Sequence, residues 1–229
     1  AMFAGAASAA NLVPPKGYMA GVRAIADEFG ILVILDEVMA GFGRTGSWLA
    51  LDHFDIVPDL ICFAKGVNSG YVPAGGVMIS RPIAEYFDHH FFPGGLTYSG
   101  HPLAMAAIVA TLDVMAEEGI VDNARQIGHE VLGPGLQALA AKYPLIGEAR
   151  GIGLFWALEF VSDKKLKTPL AAPVMAQMKA QFQARGLLTF IVENRLHVVP
   201  PCIVNAAQVA EALGIFDEVI GEISAKHAR

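Results

Sequence analysis

Two short apolar runs, each cut off by one charged residue, constrain this chain more than any other feature. Ile31-Leu32-Val33-Ile34-Leu35 ends at Asp36, and Leu60-Ile61-Cys62-Phe63-Ala64 ends at Lys65, 29 positions beyond Asp36. Aliphatic runs without polar alternation are what parallel strands buried on both faces require. In open α/β sheets ligands bind in the crevice beyond the carboxyl ends of the strands. Two neighbouring strand ends would then offer an acid and an amine to one crevice.

That pair suits an aldehyde cofactor such as pyridoxal phosphate. The amine condenses with the aldehyde, and the carboxylate keeps the pyridine nitrogen protonated so that the ring acts as an electron sink. Burial would lower the lysine pKa, and the nearby cation would hold Asp36 ionised. The spacing alone favours the plainer reading, in which Asp36 caps a helix and Lys65 stands solvated in a loop.

The surrounding residues resemble a family. Leu35-Asp36-Glu37-Val38-Met39-Ala40-Gly41-Phe42-Gly43-Arg44-Thr45-Gly46 is similar to the signature of class III aminotransferases, the ω-amino acid and ornithine-type branch of fold type I pyridoxal phosphate enzymes. Ala64-Lys65-Gly66 follows at that family's spacing, and Pro93-Gly94-Gly95-Leu96-Thr97-Tyr98-Ser99-Gly100-His101-Pro102 resembles its third motif. The resemblance continues through Arg150-Gly151-Ile152-Gly153-Leu154 to Pro200-Pro201. It implies an α/β fold: part of a large domain with a mixed, mostly parallel sheet over residues 1–120, a connecting helix over 121–142, and an α+β small domain over 143–229.

The resemblance also implies roles. Lys65 would form the imine and act as base, Asp36 would pair with the pyridine nitrogen, and Val38 would pack on the ring's inner face, where ordinary core packing is the other reading. Thr97 would reach the cofactor phosphate of the other subunit, making a homodimer with shared active sites. Without the resemblance, Thr97 and Ser99 read as caps of the following helix. Glu37 would support the neighbouring loop and Arg44 would organise its glycines. Trp48 and Tyr71 either approach the active-site entrance or pack elsewhere.

Composition narrows the field. The chain is 54% hydrophobic and only 17% charged, an apolar excess that a large subunit interface would explain. A net charge of −6 and a pI of about 5.6 leave no basic footprint for nucleic acid. With no long apolar run and no charged-then-apolar opening, neither a membrane span nor a secretory signal is expected, and the chain reads as cytoplasmic. Cys62 and Cys202 lack metal-site spacing, and His89-His90 has no further ligand cluster nearby, so no metal is expected.

Along the chain, residues 1–11 are rich in Ala and Gly without a clear period. Tyr18, Val22, Ile25 and Phe29 predict a helix over 17–29 stopped by Gly30. Strands are expected over 31–35, 60–64 and 75–80, the last antiparallel by resemblance. A nearly uncharged helix over 101–115 should be buried all round, and another follows over 120–142. Then come a strand at 153–161, a lysine-bearing loop at 162–168, a helix at 172–185, strands at 187–191 and 196–199, and a closing helix at 206–226.

The resemblance implies a chain roughly twice this length, whose phosphate-binding loop would lie upstream of Asp36; residues 1–30 resemble no such loop. Residues 1–229 alone are therefore expected to hold the cofactor weakly. Ornithine- and aminobutyrate-type members carry an arginine three residues before the Pro-Pro pair, where this chain has His197, with Arg195 about 7 Å away on the same strand face. Histidine does not reproduce a bidentate carboxylate clamp. The expected reaction is amino transfer from a primary amine or ω-amino acid, such as β-alanine or taurine, to an oxo acid, with pyruvate preferred. Aminomutation, decarboxylation and a non-catalytic role of the same fold are the alternatives.

Overall fold

The computed structural model describes residues 11–227, which form two compact units. The reading of the Ala- and Gly-rich opening lies outside the described residues as far as residue 10.

The first unit covers Pro14–Val121. Helix α1 (Tyr18–Glu28) leads into a sheet of β1 (Ile34–Asp36), β2 (Leu60–Ala64) and β3 (Gly75–Ile79), in that order. β1 and β2 are parallel, with Ile34 opposite Leu60 and Asp36 opposite Cys62. β3 is antiparallel to β2, as expected, so the sheet is mixed. Helix α2 (Arg81–His89) follows β3, and α3 (Pro102–Glu117) closes the unit. Pro82 stands in the first turn of α2 and Pro102 in that of α3, where a missing N–H costs nothing.

Asp59 fixes the parallel pairing just ahead of β2. Its Oδ2 accepts the Val33 N–H at 2.7 Å and the Arg23 guanidinium at 2.8 Å, while Asp59 N–H and Leu60 N–H both donate to Val33 O. The Val33 N–H, and then Arg23, hold the Asp59 carboxyl below its ordinary value of 3.8. Stability from this group is therefore present above about pH 3.8 and lost as pH falls through the lower folded value. Asp59→Ala should lower stability by about 2 kcal/mol near neutral pH. Thermal melts at about pH 7 and about pH 3 check this, because the gap from wild type should shrink in acid.

Two burial expectations are corrected. The first apolar run is not covered on both faces: Val33 and Leu35 are buried, but Ile34 is 57% exposed and Ile31 and Leu32 are open as well. Within β1, alternation sends Ile34 to the face opposite Leu35, and Ile31 and Leu32 precede the strand. Helix α3 is likewise not buried all round. It presents Ala104 and Met115 inward and packs on the turn after β2, while Leu103 is 62% and Val109 58% exposed. An apolar surface of this kind marks an interaction face.

The second unit holds residues 122–227 together with Asn11–Val13 of the described chain. The helix expected over 120–142 is interrupted: α4 (Ile120–Ile127) passes into a π turn (Gly128–Leu132) and then α5 (Gly133–Lys142). The turn is closed by Gly133 N–H donating to Gly128 O. Close packing explains both glycines. A Cβ on Gly128 would lie 2.3 Å from the Gly153 carbonyl, and one on Gly133 would lie 2.8 Å from the Trp156 ring.

β4 (Ile146–Ile152), which the sequence reading left unassigned, forms a hairpin with β5 (Phe155–Asp163) through Gly153-Leu154. β5 also pairs with β8 (Arg195–Val198), and β8 pairs with β7 (Phe190–Val192), giving the antiparallel order β4-β5-β8-β7. The expected loop at 162–168 contains the end of β5 and the start of a short strand, β6 (Thr168–Pro169), paired with β5. Helices α6 (Ala172–Ala184) and α7 (Ala206–His227) cover one face of the sheet. There Phe160, Leu158, Leu196, Phe182, Met178 and Ile220 are fully buried.

Candidate active site

The parallel register carries Asp36 and Lys65 to neighbouring strand ends. Asp36 lies opposite Cys62. Lys65 is three residues further on, roughly 10 Å along the strand direction at about 3.3 Å per residue. Both side chains are exposed. The expected burial of Lys65 is therefore not seen among the described residues, because β2 delivers it to the open end of the sheet.

The backbone at Lys65 is left-handed, with φ of 47°. A lysine gains nothing locally from that conformation, so its surroundings impose it. Gly66 next to it sits against the glycine-rich loop: a Cβ there would be 3.0 Å from Phe42 Cβ, and the rings of Phe42 and Phe63 are 5.9 Å apart. On the other side, buried Asn68 closes the turn that Lys65 begins. It donates to Val72 O, and its Oδ1 accepts the Gly70 N–H at 3.1 Å. Sequence reasoning did not single out Phe42 or Asn68. Asn68-Ser69-Gly70 carried a turn signal that would have found the latter.

The loop after β1 is organised from within. Phe42 N–H donates to Trp48 O at 2.6 Å, Gly43 N–H to Ser47 O at 3.0 Å, and Gly46 N–H to Gly43 O at 2.9 Å. Glu37 is fully buried, and its two oxygens accept the N–H groups of Ala50 at 3.0 Å and Leu51 at 2.8 Å, so it supports the loop. Burial holds its carboxyl above the ordinary range, against the pull of those two N–H groups. Val38 is half-buried, and its N–H donates to Asp36 Oδ1 at 3.0 Å. Arg44 is half-buried within the loop, whereas Trp48 and Tyr71 are exposed.

Thr97 stands in the exposed connection between α2 and α3, and among the described residues it bonds to neither Asp36 nor Lys65. The alternative capping role is not seen. The cap of α3 is His101, with no side-chain cap bond, and Ser99 N–H donates to Leu96 O. His90 stacks on Tyr86 at 3.9 Å and donates from Nδ1 to Tyr86 O at 2.7 Å. Among the described residues no three His, Cys, Asp or Glu side chains are placed to hold a metal ion. No helix there is long and apolar enough to cross a membrane.

In the second unit His197 and Arg195 share one face of β8. His197 is buried, with its ring 5.1 Å from that of Phe190, and Arg195 is ion-paired with Glu193. Arg150, on β4, bridges Glu148 at 2.8 Å and Glu159 at 2.7 Å.

Comparison with known proteins gives a consistent result. The family model for aminotransferase class-III matches residues 7–220. The chain is 39% identical over 218 residues to 5-aminovalerate aminotransferase of Pseudomonas putida, covering 93% of this chain and 49% of that protein. It is 32% identical over 228 residues to taurine–pyruvate aminotransferase of Bilophila wadsworthia, covering 94% of this chain and 50% of that protein. Among solved structures, taurine:2-oxoglutarate aminotransferase from Bifidobacterium kashiwanohense, in complex with pyridoxal phosphate and glutamate, superposes with a TM-score of 0.90 at 42% identity. That match covers 96% of this chain and 50% of the other. The chain thus spans about half the length of the relatives it matches.

Proposed function

From the premise that this chain belongs to the class III aminotransferases and has their fold type I architecture, we propose that it takes part in pyridoxal phosphate-dependent transfer of an amino group from a primary amine or ω-amino acid to an oxo acid. The observation that carries this reading is the pairing of Asp36 and Lys65 at adjacent parallel strand ends.

The donor set fits the cofactor. Asp36 Oδ2 accepts no hydrogen bond among the described residues, and Lys65 Nζ has neither a hydrogen bond nor an ion pair there. An acid and an amine left free at one open sheet end match a group that needs both. Bound there, pyridoxal phosphate supplies an aldehyde for amines and a ring that accepts the electron pair left when a substrate C–H bond is deprotonated. The remaining chemistry belongs to the chain. Lys65 would hold the cofactor through Nζ, and the same amine, when free, would move a proton at the substrate carbon. The Asp36 carboxylate keeps the ring nitrogen protonated by charge pairing. Val38, in the turn next to Asp36, would pack on the ring, and Thr97 would offer a hydroxyl and N–H to the phosphate across a two-fold axis. The exposed apolar face of α3 supports that homodimer.

Pyruvate is the proposed acceptor. The support is His197, a buried imidazole against Phe190, and Arg195, already engaged by Glu193. The relatives include enzymes named for pyruvate and for 2-oxoglutarate. The test is a half-reaction on the cofactor-loaded protein. A primary amine alone should bleach the visible absorbance and pyruvate should restore it, with 2-oxoglutarate markedly slower. Carbon dioxide release, or no spectral change with any amine, would refute the reading.

A further inference from the structure

We propose that Glu37 is a positioning residue for Asp36: from beneath the strand end it fixes the one peptide unit that aims the Asp36 carboxylate. This rests on the reading that Asp36 pairs with the cofactor's ring nitrogen.

Asp36 ends β1 and Glu37 is the next residue, so extended backbone sends the two acids to opposite sides. Asp36 is exposed and Glu37 fully buried. A buried carboxylate is costly where an apolar side chain would pack, and this one is completely engaged. Its two oxygens take the Ala50 and Leu51 N–H groups at 3.0 and 2.8 Å. Its backbone N–H donates to Cys62 O at 2.8 Å, and its backbone oxygen accepts the Gly41 N–H at 2.9 Å. One residue therefore ties β1 to β2, to the glycine-rich loop and to the short 3-10 turn Ala50–His53.

The decisive unit is the peptide between Glu37 and Val38. Its carbonyl is held by Gly41, and its N–H points at Asp36 Oδ1, 3.0 Å away. Rotating that plane would break both bonds together. The Glu37 side chain, anchored below, prevents the rotation and so sets which Asp36 oxygen stays open.

Burial holds the Glu37 carboxyl above its ordinary value of 4.5, against the pull of the Ala50 and Leu51 N–H groups. The charged groups acting on Glu37 are Asp36 and Asp52, both acids, and burial is the larger cause of its raised value. A carboxyl raised above 4.5 contributes stability that is complete below about that pH and is lost as pH rises through the folded value.

Two variants test this. Glu37→Gln places an amide N–H against one of the two donors. Ala50→Pro removes a donor without touching Glu37, at the first position of the 3-10 turn, where Leu49 is already extended at φ −124° and ψ 147° and so accepts a following proline. Each variant, loaded with pyridoxal phosphate, should weaken cofactor binding about tenfold. Each should also move the pH profile of the bound cofactor's visible absorbance in the direction of Asp36→Asn, and the double variant should be no worse than Glu37→Gln alone. A lowered melting temperature with binding within about twofold of wild type and a superimposable pH profile would show a purely structural Glu37 and overturn the proposal. Failure of both variants to fold would overturn it in the same way. If wild type itself binds no pyridoxal phosphate, the functional reading fails first, and that result is distinguishable from either.

Discussion

Lys65→Ala is expected to abolish the visible absorbance that pyridoxal phosphate gives with the wild-type protein, and to lower kcat by at least about 10⁴-fold. The size follows from two tasks falling on one atom. In the proposed role the same Nζ would hold the cofactor and move the substrate proton, so its removal would take away both anchor and base. The fold should survive, because Lys65 is exposed and makes no hydrogen bond or ion pair among the described residues. Stability should therefore change by no more than about 0.5 kcal/mol. Lys65→Arg separates charge from chemistry: a guanidinium keeps the positive charge but is never deprotonated at working pH, so it should be nearly as inactive. A Lys65→Ala protein that keeps the lysine-type absorbance, or turns over within tenfold of wild type, would refute the assignment.

Asp36→Asn is expected to lower kcat by about 10²- to 10³-fold near neutral pH. Asparagine keeps the shape and can still accept the Val38 N–H, but it cannot balance a positive charge on the ring nitrogen. The sign of the pH dependence distinguishes this from simple disruption. Without the carboxylate the ring nitrogen loses its proton at neutral pH and regains it from solvent as pH falls. The variant should thus recover part of its activity on acidification where wild type does not. Wild-type activity of Asp36→Asn at neutral pH would remove Asp36 from the site.

The parts of the fold legible in the sequence were those whose side chains repeat. Helix α1 follows from the spacing of Tyr18, Val22 and Ile25, and β2 from an uninterrupted apolar run. β4 was missed because Gly147, Glu148, Arg150 and Gly151 break the apolar pattern. In the folded unit Arg150 lies between two acids and Gly151 sits against Trp156, so polar and small residues serve a strand there. α2 was missed although Ser80-Arg81-Pro82 is a helix-start signal and Ile83, Tyr86 and Phe87 stand at helical spacing, because the helix is only nine residues long. Burial of α3 was overestimated because an apolar helix says that it wants a partner, and not that the described residues provide one.

In the candidate site, the residue types and their order were readable, whereas the supports were not. Asp36, Lys65 and the loop-supporting Glu37 came from motif and spacing. The left-handed backbone at Lys65, the Phe42–Phe63 packing and the Asn68 turn depend on contacts between loops distant in sequence. Nothing periodic marks such contacts.

The π turn has a consequence for how this chain tolerates change in length. In a regular α-helix, residues five apart, such as Gly128 and Gly133, would point about 140° away from each other. The wider turn lets both meet the Gly153–Trp156 hairpin. Loss of one residue at the exposed positions His129 or Glu130 would put the two glycines four apart, again on one face of an ordinary helix. The segment thus has two permitted lengths differing by a single codon. Descendants of this sequence can drop that residue with α5 still in phase, while a deletion inside α5 itself would turn everything beyond it by about 100°.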